Sequence, residues 1–505
     1  MLFYLRSLPI EYEGSLKEIV FNLQKEAELI LVQEEPSLMK EKEYFLESRI
    51  EERQNGIEVN IRLQSWQGKV WESKEQDKEI LDSRYNSEDW PRRCRERIRL
   101  AVLKLLSQIF SLPERPWGIL MGVRPTKVVH RLLDKGFTSE EILPRLQENY
   151  GLSWEKAQLV SQVAASQRPF LLSPREAKQK ISIYVGIPFC PTRCLYCSFP
   201  AYSLEKNKNL VEPFFRALLR EVEALGAFVQ ANELEVETVY LGGGTPTSLA
   251  AKQLEELLRY LNNYFSANQS REFTVEAGRP DTIDQEKLQV MFQAGVNRLS
   301  INPQSMNDKT LETIGRQHSV KDVWQAFQGA KELGFPIINM DIILGLPGEG
   351  LEEVRQTLEQ IKKLRPENLT CHTMAIKRAS LLKERLSAIQ LASEEQVEAM
   401  LDLVDKSTQE MGLLPYYLYR QRYILGNLEN VGYTMPGQES IYNIQMMEER
   451  QTVIALGGGS VSKLIYPPQW KVERHFNPKC PRTYAEQIEG IIKEKLDLLG
   501  LWLTS

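Results

Sequence analysis

The stretch Gly186-Ile-Pro-Phe-Cys190-Pro-Thr-Arg-Cys194-Leu-Tyr-Cys197-Ser-Phe199 gathers three of the chain's six cysteines into eight residues, spaced C-x3-C-x2-C. Three thiolates on so short a loop can grip three corners of a cubane [4Fe-4S] cluster, and with no fourth cysteine nearby one iron stays open to a further ligand. Two other readings stay open on these residues alone. One is a zinc ion, which usually takes four N or S ligands in paired C-x2–4-C spacing; the other is three buried structural cysteines. Cys94, Cys371 and Cys480 stand alone, so no disulfide framework is implied.

Other residues could serve a ligand beside this loop. Gly242-Gly243-Gly244-Thr245 closes an apolar run, where glycines let backbone N–H groups approach an anionic or zwitterionic molecule. Glu276, Gln304 and Asp341 each fall at or near the end of a different strand-like run. Inward polar groups there are costly unless a ligand pairs with them.

The elements that must carry these residues can be read from periodicity. Apolar runs at 181–187, 238–241, 273–276, 298–301, 337–343 and 369–374 alternate with amphipathic stretches; one sets Phe214, Leu218, Val222 and Leu225 on a single stripe, and another covers 351–364. Six βα units with strands buried on both faces predict a partial (β/α)6 TIM-like barrel, with an open doubly wound sheet as the alternative. Either places ligands at the C-terminal ends of the strands. Residues 1–175 read as a separate α+β domain, with a strand-like run at 56–63 and a helix over 97–110 whose Ile98, Val102, Leu105 and Leu106 share a face. The proline- and charge-rich segment 168–180 marks the boundary, the barrel then occupying 176–380. Residues 381–505 form a C-terminal accessory region packed on the barrel: a helix opened by the capping box Ser393-Glu-Glu-Gln396, a tyrosine- and glycine-rich stretch, and a last helix from Thr483.

At 505 residues, two or three domains are expected, and 42% apolar with 26% charged residues excludes a disordered or fibrous chain. Lys and Arg number 63 against 68 Asp and Glu, a net charge of −5, so no global basic field holds nucleic acid. No apolar run approaches the ~20 residues that cross a bilayer. The N-terminus shows no basic leader followed by an apolar stretch. A cytoplasmic monomer with no nucleic-acid partner and no membrane span is the expectation.

The three-cysteine loop resembles the signature of the radical S-adenosylmethionine (SAM) superfamily, in which methionine's amino and carboxylate groups fill the open iron and the reduced cluster cleaves the sulfonium to a 5′-deoxyadenosyl radical. Five segments in order, Tyr184-Val-Gly-Ile-Pro-Phe-Cys190, Leu241-Gly-Gly-Gly-Thr-Pro-Thr-Ser-Leu249, Val275-Glu-Ala-Gly-Arg-Pro-Asp281, Arg298-Leu-Ser-Ile-Asn-Pro-Gln-Ser305 and Met340-Asp-Ile-Ile-Leu-Gly-Leu-Pro-Gly348, resemble the oxygen-independent coproporphyrinogen III oxidase (HemN) family. The N-terminal domain, Pro415-Tyr-Tyr-Leu-Tyr-Arg-Gln-Arg422 and Gly426-Asn-Leu-Glu-Asn-Val-Gly-Tyr433 resemble its HemZ-type subgroup.

The resemblance implies a [4Fe-4S] cluster on Cys190, Cys194 and Cys197, and one or two molecules of SAM. Tyr184, Gly243 and Glu276 match positions that hold the cluster-bound SAM. Tyr196, Gly244, Thr245, Gln304, Arg316, Asp341 and Ala375 match positions that hold a second. The structural alternatives are a helix-surface cation for Arg316 and a carboxylate satisfied by backbone donors for Asp341. No catalytic side chain is assigned. Three departures stand out: Gly186 replaces a common histidine, Phe199 and its neighbours replace an extra cysteine, and Asn302-Pro303 replaces Gly-Val. The implied function is oxidative decarboxylation of two propionates of coproporphyrinogen III to vinyls, fed by a low-potential electron donor such as flavodoxin or ferredoxin. A haem-trafficking protein of the HemW kind and a radical SAM methyltransferase acting on a tetrapyrrole are the alternatives. A four-carboxylate substrate would need local cations, for which Arg193, Lys377, Arg378, Arg420 and Arg422 are candidates, with Tyr416, Tyr417, Tyr419 and Tyr423 as an apolar face.

Overall fold

The computed structural model describes residues 1–505 except 123, 200, 378, 379, 385–388, 390, 422 and 423. The chain forms two compact units, Met1–Ala164 and Ala165–Ser505.

In the first unit, strands β1 (Leu2–Leu8), β2 (Glu28–Leu31), β3 (Glu43–Arg53), β4 (Gly56–Ser65) and β5 (Val70–Asp77) make one sheet in the order β2-β1-β3-β4-β5. Alternation explains β4, where Ile57, Val59, Ile61 and Leu63 are all buried. The helix Trp90–Phe110 packs on β4 and β5 and buries Ile98, Val102, Leu105 and Leu106. This is an α+β unit, as the two periodicities predict.

The second unit is built on β6 (Lys180–Ile187), β7 (Phe189–Cys190), β8 (Tyr202–Ser203), β9 (Glu235–Gly243), β10 (Glu272–Glu276), β11 (Arg298–Ser300), β12 (Ile337–Leu344) and β13 (Asn368–Thr373). β7 and β8 form a two-stranded ribbon of their own. The other six lie side by side in chain order, all parallel, which is the partial (β/α)6 barrel. Helices Val211–Ala231 and Leu351–Leu364 turn their predicted apolar stripes inward; Phe214, Leu218, Val222 and Leu225 are fully buried.

The region after residue 380 enters the sheet itself, through β14 (Leu414–Tyr419), β15 (Asn430–Thr434), β16 (Thr452–Gly457), β17 (Val461–Tyr466) and β18 (Lys471–Phe476). β15 and β14 extend the sheet antiparallel beyond β13, while β16 lies parallel to β6 as a seventh parallel strand, followed by β17 and β18. The N-terminal end of the barrel is closed by paired polar groups. Glu272 accepts from Ser440 Oγ and Ile441 N, at the N-terminus of the helix Ile441–Glu448, and Arg298 donates to the Asn368 side chain and to Gln438 O.

Candidate active site

Register places the site. Gly457 of β16 pairs with Gly186 of β6, which pairs with Gly242 of β9. Three strands therefore carry no side chain along one row near the barrel's C-terminal mouth. A Cβ on Gly242 would stand 2.9 Å from Glu276 Oε2 and 3.0 Å from the Tyr240 ring; one on Gly457, whose φ is +84°, would stand 2.2 Å from Gly186 O. A Cβ on Gly186 would meet Gly458 O at 3.1 Å, so the space at this position is narrow.

Glu276 ends β10 beside this row. Tyr240 donates its hydroxyl to it; burial pushes the carboxyl up to about 7, the charge of Asp341 adds to the rise, and the Tyr240 hydroxyl and the Gly243 backbone oppose it. Tyr240 stacks at 4.3 Å on Tyr442, and Tyr184 stacks on both at 6.2 and 6.1 Å. Tyr442 enters from the helix Ile441–Glu448, a contribution that the sequence reading missed because it lies far beyond the six βα units.

The Gly242–Thr245 segment serves a different role from the one expected of it. The N–H of Gly244 donates to Ile187 O at 2.7 Å, and that of Thr245 to Phe189 O at 2.8 Å. These donors brace the start of the cysteine loop and are not offered to a ligand. A Cβ on Gly244 would stand 2.6 Å from Phe189 O, so glycine is required for the contact between loops. The Thr245 hydroxyl, 1% exposed, donates to Cys190 Sγ at 3.3 Å.

Burial pushes the Cys190 thiol up to about 11 and raises that of Cys197, each also raised by its neighbouring cysteines. Arg279 Nη1 reaches Cys194 Sγ at 3.6 Å. Among the described residues no three His, Cys, Asp or Glu side chains converge on one point as a single ion requires. Three neighbouring thiols on one loop, two of them already receiving hydrogen bonds, suit a cluster in which each thiolate meets its own iron.

Across the mouth, Gln304 holds a left-handed φ of +69° while its N–H and C=O bridge Asp341 and Ile343. Its Oε1 is buried without a hydrogen-bond partner. Strain and an orphaned acceptor at one residue make Gln304 a candidate ligand-binding position. Arg316 is 8% exposed, hence no surface cation, and donates to Gly278 O, Asn302 O and the Tyr196 hydroxyl at 2.9, 2.8 and 3.0 Å. Asp341 accepts from the Asn339 side chain at 2.7 Å and faces His372 Nε2 at 3.7 Å, so side chains rather than backbone donors meet its carboxylate. His372 Nδ1 meets the Tyr419 hydroxyl at 3.0 Å. Ala375, just past β13, bridges Ile424.

The expected substrate cations divide. Arg193 lines a cleft of about 680 Å³ beside the cysteine loop, together with Phe199, Tyr202, Lys206 and Lys479. Arg420 is 3% exposed and donates to Leu428 O and Asn427 O, so it ties down its own loop. Burial lowers the Lys377 ammonium, which lies near Cys197. Tyr416 and Tyr417 are buried in the wall. Arg378, Arg422 and Tyr423 lie outside the described residues.

The radical SAM superfamily model matches residues 184–361. The chain is 41% identical over 427 residues to the oxygen-independent coproporphyrinogen-III oxidase-like protein HemZ of Bacillus subtilis, covering 84% of this chain and 85% of that one. It is 31% identical to the heme chaperone HemW of the same organism, over 54% of this chain and 68% of that one. Coproporphyrinogen III oxidase (HemN) from Escherichia coli, a radical SAM enzyme, shares the fold with a TM-score of 0.51 at 22% identity, over 65% of this chain and 72% of that one. No helix among the described residues is long and apolar enough to cross a membrane.

Proposed function

The chain belongs to the radical SAM superfamily, within the family of oxygen-independent coproporphyrinogen-III oxidase-like proteins, and from that premise we propose that it decarboxylates propionate side chains of a tetrapyrrole, coproporphyrinogen III first. The cofactors of the superfamily are a [4Fe-4S] cluster and SAM. When bound, they would supply a 5′-deoxyadenosyl radical able to take a β-hydrogen from a propionate, the electron released as CO2 leaves and the vinyl forms passing to an external one-electron acceptor.

One observation carries the reading. The cysteine loop, the three-glycine row with Glu276, and the orphaned Gln304 acceptor all open on the same strand ends. We assign Cys190, Cys194 and Cys197 to the cluster, and Tyr184, Gly243 and Glu276 to the first SAM. Gly243, at a left-handed φ of +103°, ends β9 beside Glu276, and its backbone favours the charged form of that carboxyl. Tyr196, Gln304, Arg316, Asp341 and Ala375 would shape a second polar site across the mouth. Gly244 and Thr245 serve that mouth by bracing the cysteine loop. The cleft beside the loop sets three cations, Arg193, Lys206 and Lys479, against one carboxylate, Glu205, around Phe199 and Tyr202, a balance that suits a carboxylate-bearing macrocycle. The proposed working form is a cytoplasmic monomer reduced by a low-potential carrier.

The likeness to heme chaperones favours a second reading, haem binding without decarboxylation. Anaerobic incubation of the cluster-loaded protein with coproporphyrinogen III, SAM and a reductant, with products read by mass spectrometry, decides between them. Loss of two CO2 units with formation of 5′-deoxyadenosine supports the first reading. Stoichiometric haem binding with no decarboxylated product supports the second, and an added methyl group points to a methyltransferase.

A further inference from the structure

Arg279, in the turn after β10, is a cation buried to 3% exposure and held on three sides. Its Nε and Nη2 grip the Asp281 carboxylate at 3.0 Å each, and Asp281 in turn has His318 Nδ1 at 3.5 Å. Both terminal nitrogens donate to Thr192 Oγ1 at 3.2 Å, inside the cysteine loop, and Nη1 also lies 3.5 Å from Thr192 O. The remaining direction of Nη1 leads to Cys194 Sγ at 3.6 Å. The guanidinium is thus fixed before any ligand arrives, with a donor aimed at a sulfur.

Hydrogen bonds to cluster sulfurs, local net charge and burial are the terms by which a protein sets an iron–sulfur potential. A buried cation that donates to a thiolate stabilises the more electron-rich state, because reduction adds negative charge to the iron and its sulfurs. We propose that Arg279 sets the reduction potential of the cluster by holding its guanidinium on Cys194, with Asp281 and Thr192 as the residues that aim it. The inference rests on the assignment of Cys194 as a cluster ligand. It goes further than that assignment, because none of the residues matched to cofactor positions includes Arg279, Asp281 or Thr192. A role limited to stapling two loops together would affect how much cluster the protein holds, not the potential of the cluster it holds.

The test is a redox titration of the reconstituted full-length protein, monitored by the EPR signal of the reduced cluster. Arg279→Gln removes the charge, and its reduced-to-oxidised ratio at a fixed potential should fall at least tenfold, a shift of about −59 mV for a one-electron couple. Arg279→Lys, which keeps the charge, should recover most of that shift. Thr192→Val, which leaves the arginine but removes the hydroxyl that aims it, should move the potential in the same direction by less. An unchanged potential in cluster-loaded Arg279→Gln overturns the proposal. If that variant takes up no cluster, Thr192→Val decides, and an unshifted potential there overturns it equally. Wild-type protein that takes up no iron and sulfide, or a Cys194→Ala variant that keeps a full cluster, refutes the ligand assignment instead, and the inference with it.

Discussion

Replacing Glu276 by Gln should make the protein more stable and a poorer binder of SAM, and the two effects have one cause. In the folded chain burial raises this carboxyl from its ordinary value of 4.5 to about 7. The folded state therefore keeps a proton that the unfolded chain releases between those values, and stability falls as pH rises through that window. Moving an acid from 4.5 to about 7 corresponds to about 3 kcal/mol at ~1.36 kcal/mol per pH unit. Glutamine cannot ionise, so the unfolding free energy of Glu276→Gln relative to wild type should rise by up to about 3 kcal/mol from pH 5 to pH 8. Any offset from turning an amide toward the Gly243 backbone is the same at both pH values and drops out of the comparison. SAM affinity should move the other way, because the variant loses a charged acceptor in the glycine row, at a cost of roughly 1 to 3 kcal/mol. Guanidinium titrations of the cofactor-free protein at four pH values, with calorimetric SAM titrations of the reconstituted protein, measure both quantities. A stability difference that does not change with pH would refute the account of Glu276's burial; wild-type SAM affinity in the variant would refute its assignment to SAM.

Alanine at Cys190, Cys194 or Cys197 should each abolish uptake of the cluster on anaerobic reconstitution, and stoichiometric zinc in the anaerobically purified wild type would speak against the cluster assignment. Gly457→Ala puts a Cβ 2.2 Å from Gly186 O at a φ of +84°, so a loss of roughly 1 to 3 kcal/mol from the backbone alone is expected, with weaker SAM binding; an unchanged melting temperature would show that the row yields easily. Glu221 is fully buried and accepts from Lys495 Nζ, the Tyr484 hydroxyl, Gly457 N and Asn477 Nδ2 at 2.6, 2.6, 2.8 and 3.1 Å. Lys495→Met leaves that charge without its cation and should cost about 3 to 5 kcal/mol in denaturant unfolding; a loss under about 1 kcal/mol would mean that the three neutral donors suffice.

What could be read from the sequence follows from how local each signal is. The six parallel strands are continuous apolar runs with crossover helices between them, and β12 (Ile337–Leu344) and the helix Leu351–Leu364 fall almost where periodicity puts them. The seventh parallel strand did not stand out. Thr452-Val-Ile-Ala-Leu-Gly457 is as apolar as the others but reaches β6 from some 270 residues away, so only its composition could have signalled it. The glycine row shows the same limit: what ties Gly457 to the first strand is a register, Gly457 against Gly186, that no local spacing encodes. Tyr442 and Arg279 were passed over for a related reason: each acts through a partner from another element, Tyr240 in one case and Cys194 in the other.

The two ends of the barrel differ in how their buried charges are balanced, and only the C-terminal end sets such groups beside the glycine row. At the N-terminal end Glu272 and Arg298 are met by Ser440, Ile441, Asn368 and Gln438, and Arg298 Nε, itself without a hydrogen-bond partner, still lies 3.9 Å from Glu272 Oε2, so the two opposite charges face each other. At the C-terminal end the same kinds of residue are left short. Glu276 has the Tyr240 donor but, among its named partners, no cation, and Gln304 Oε1 has no partner and sits on strained backbone. Under the proposed function, the open Gln304 acceptor and the uncompensated Glu276 carboxyl, beside a row from which three strands have withdrawn their side chains, are where a polar ligand would complete the structure.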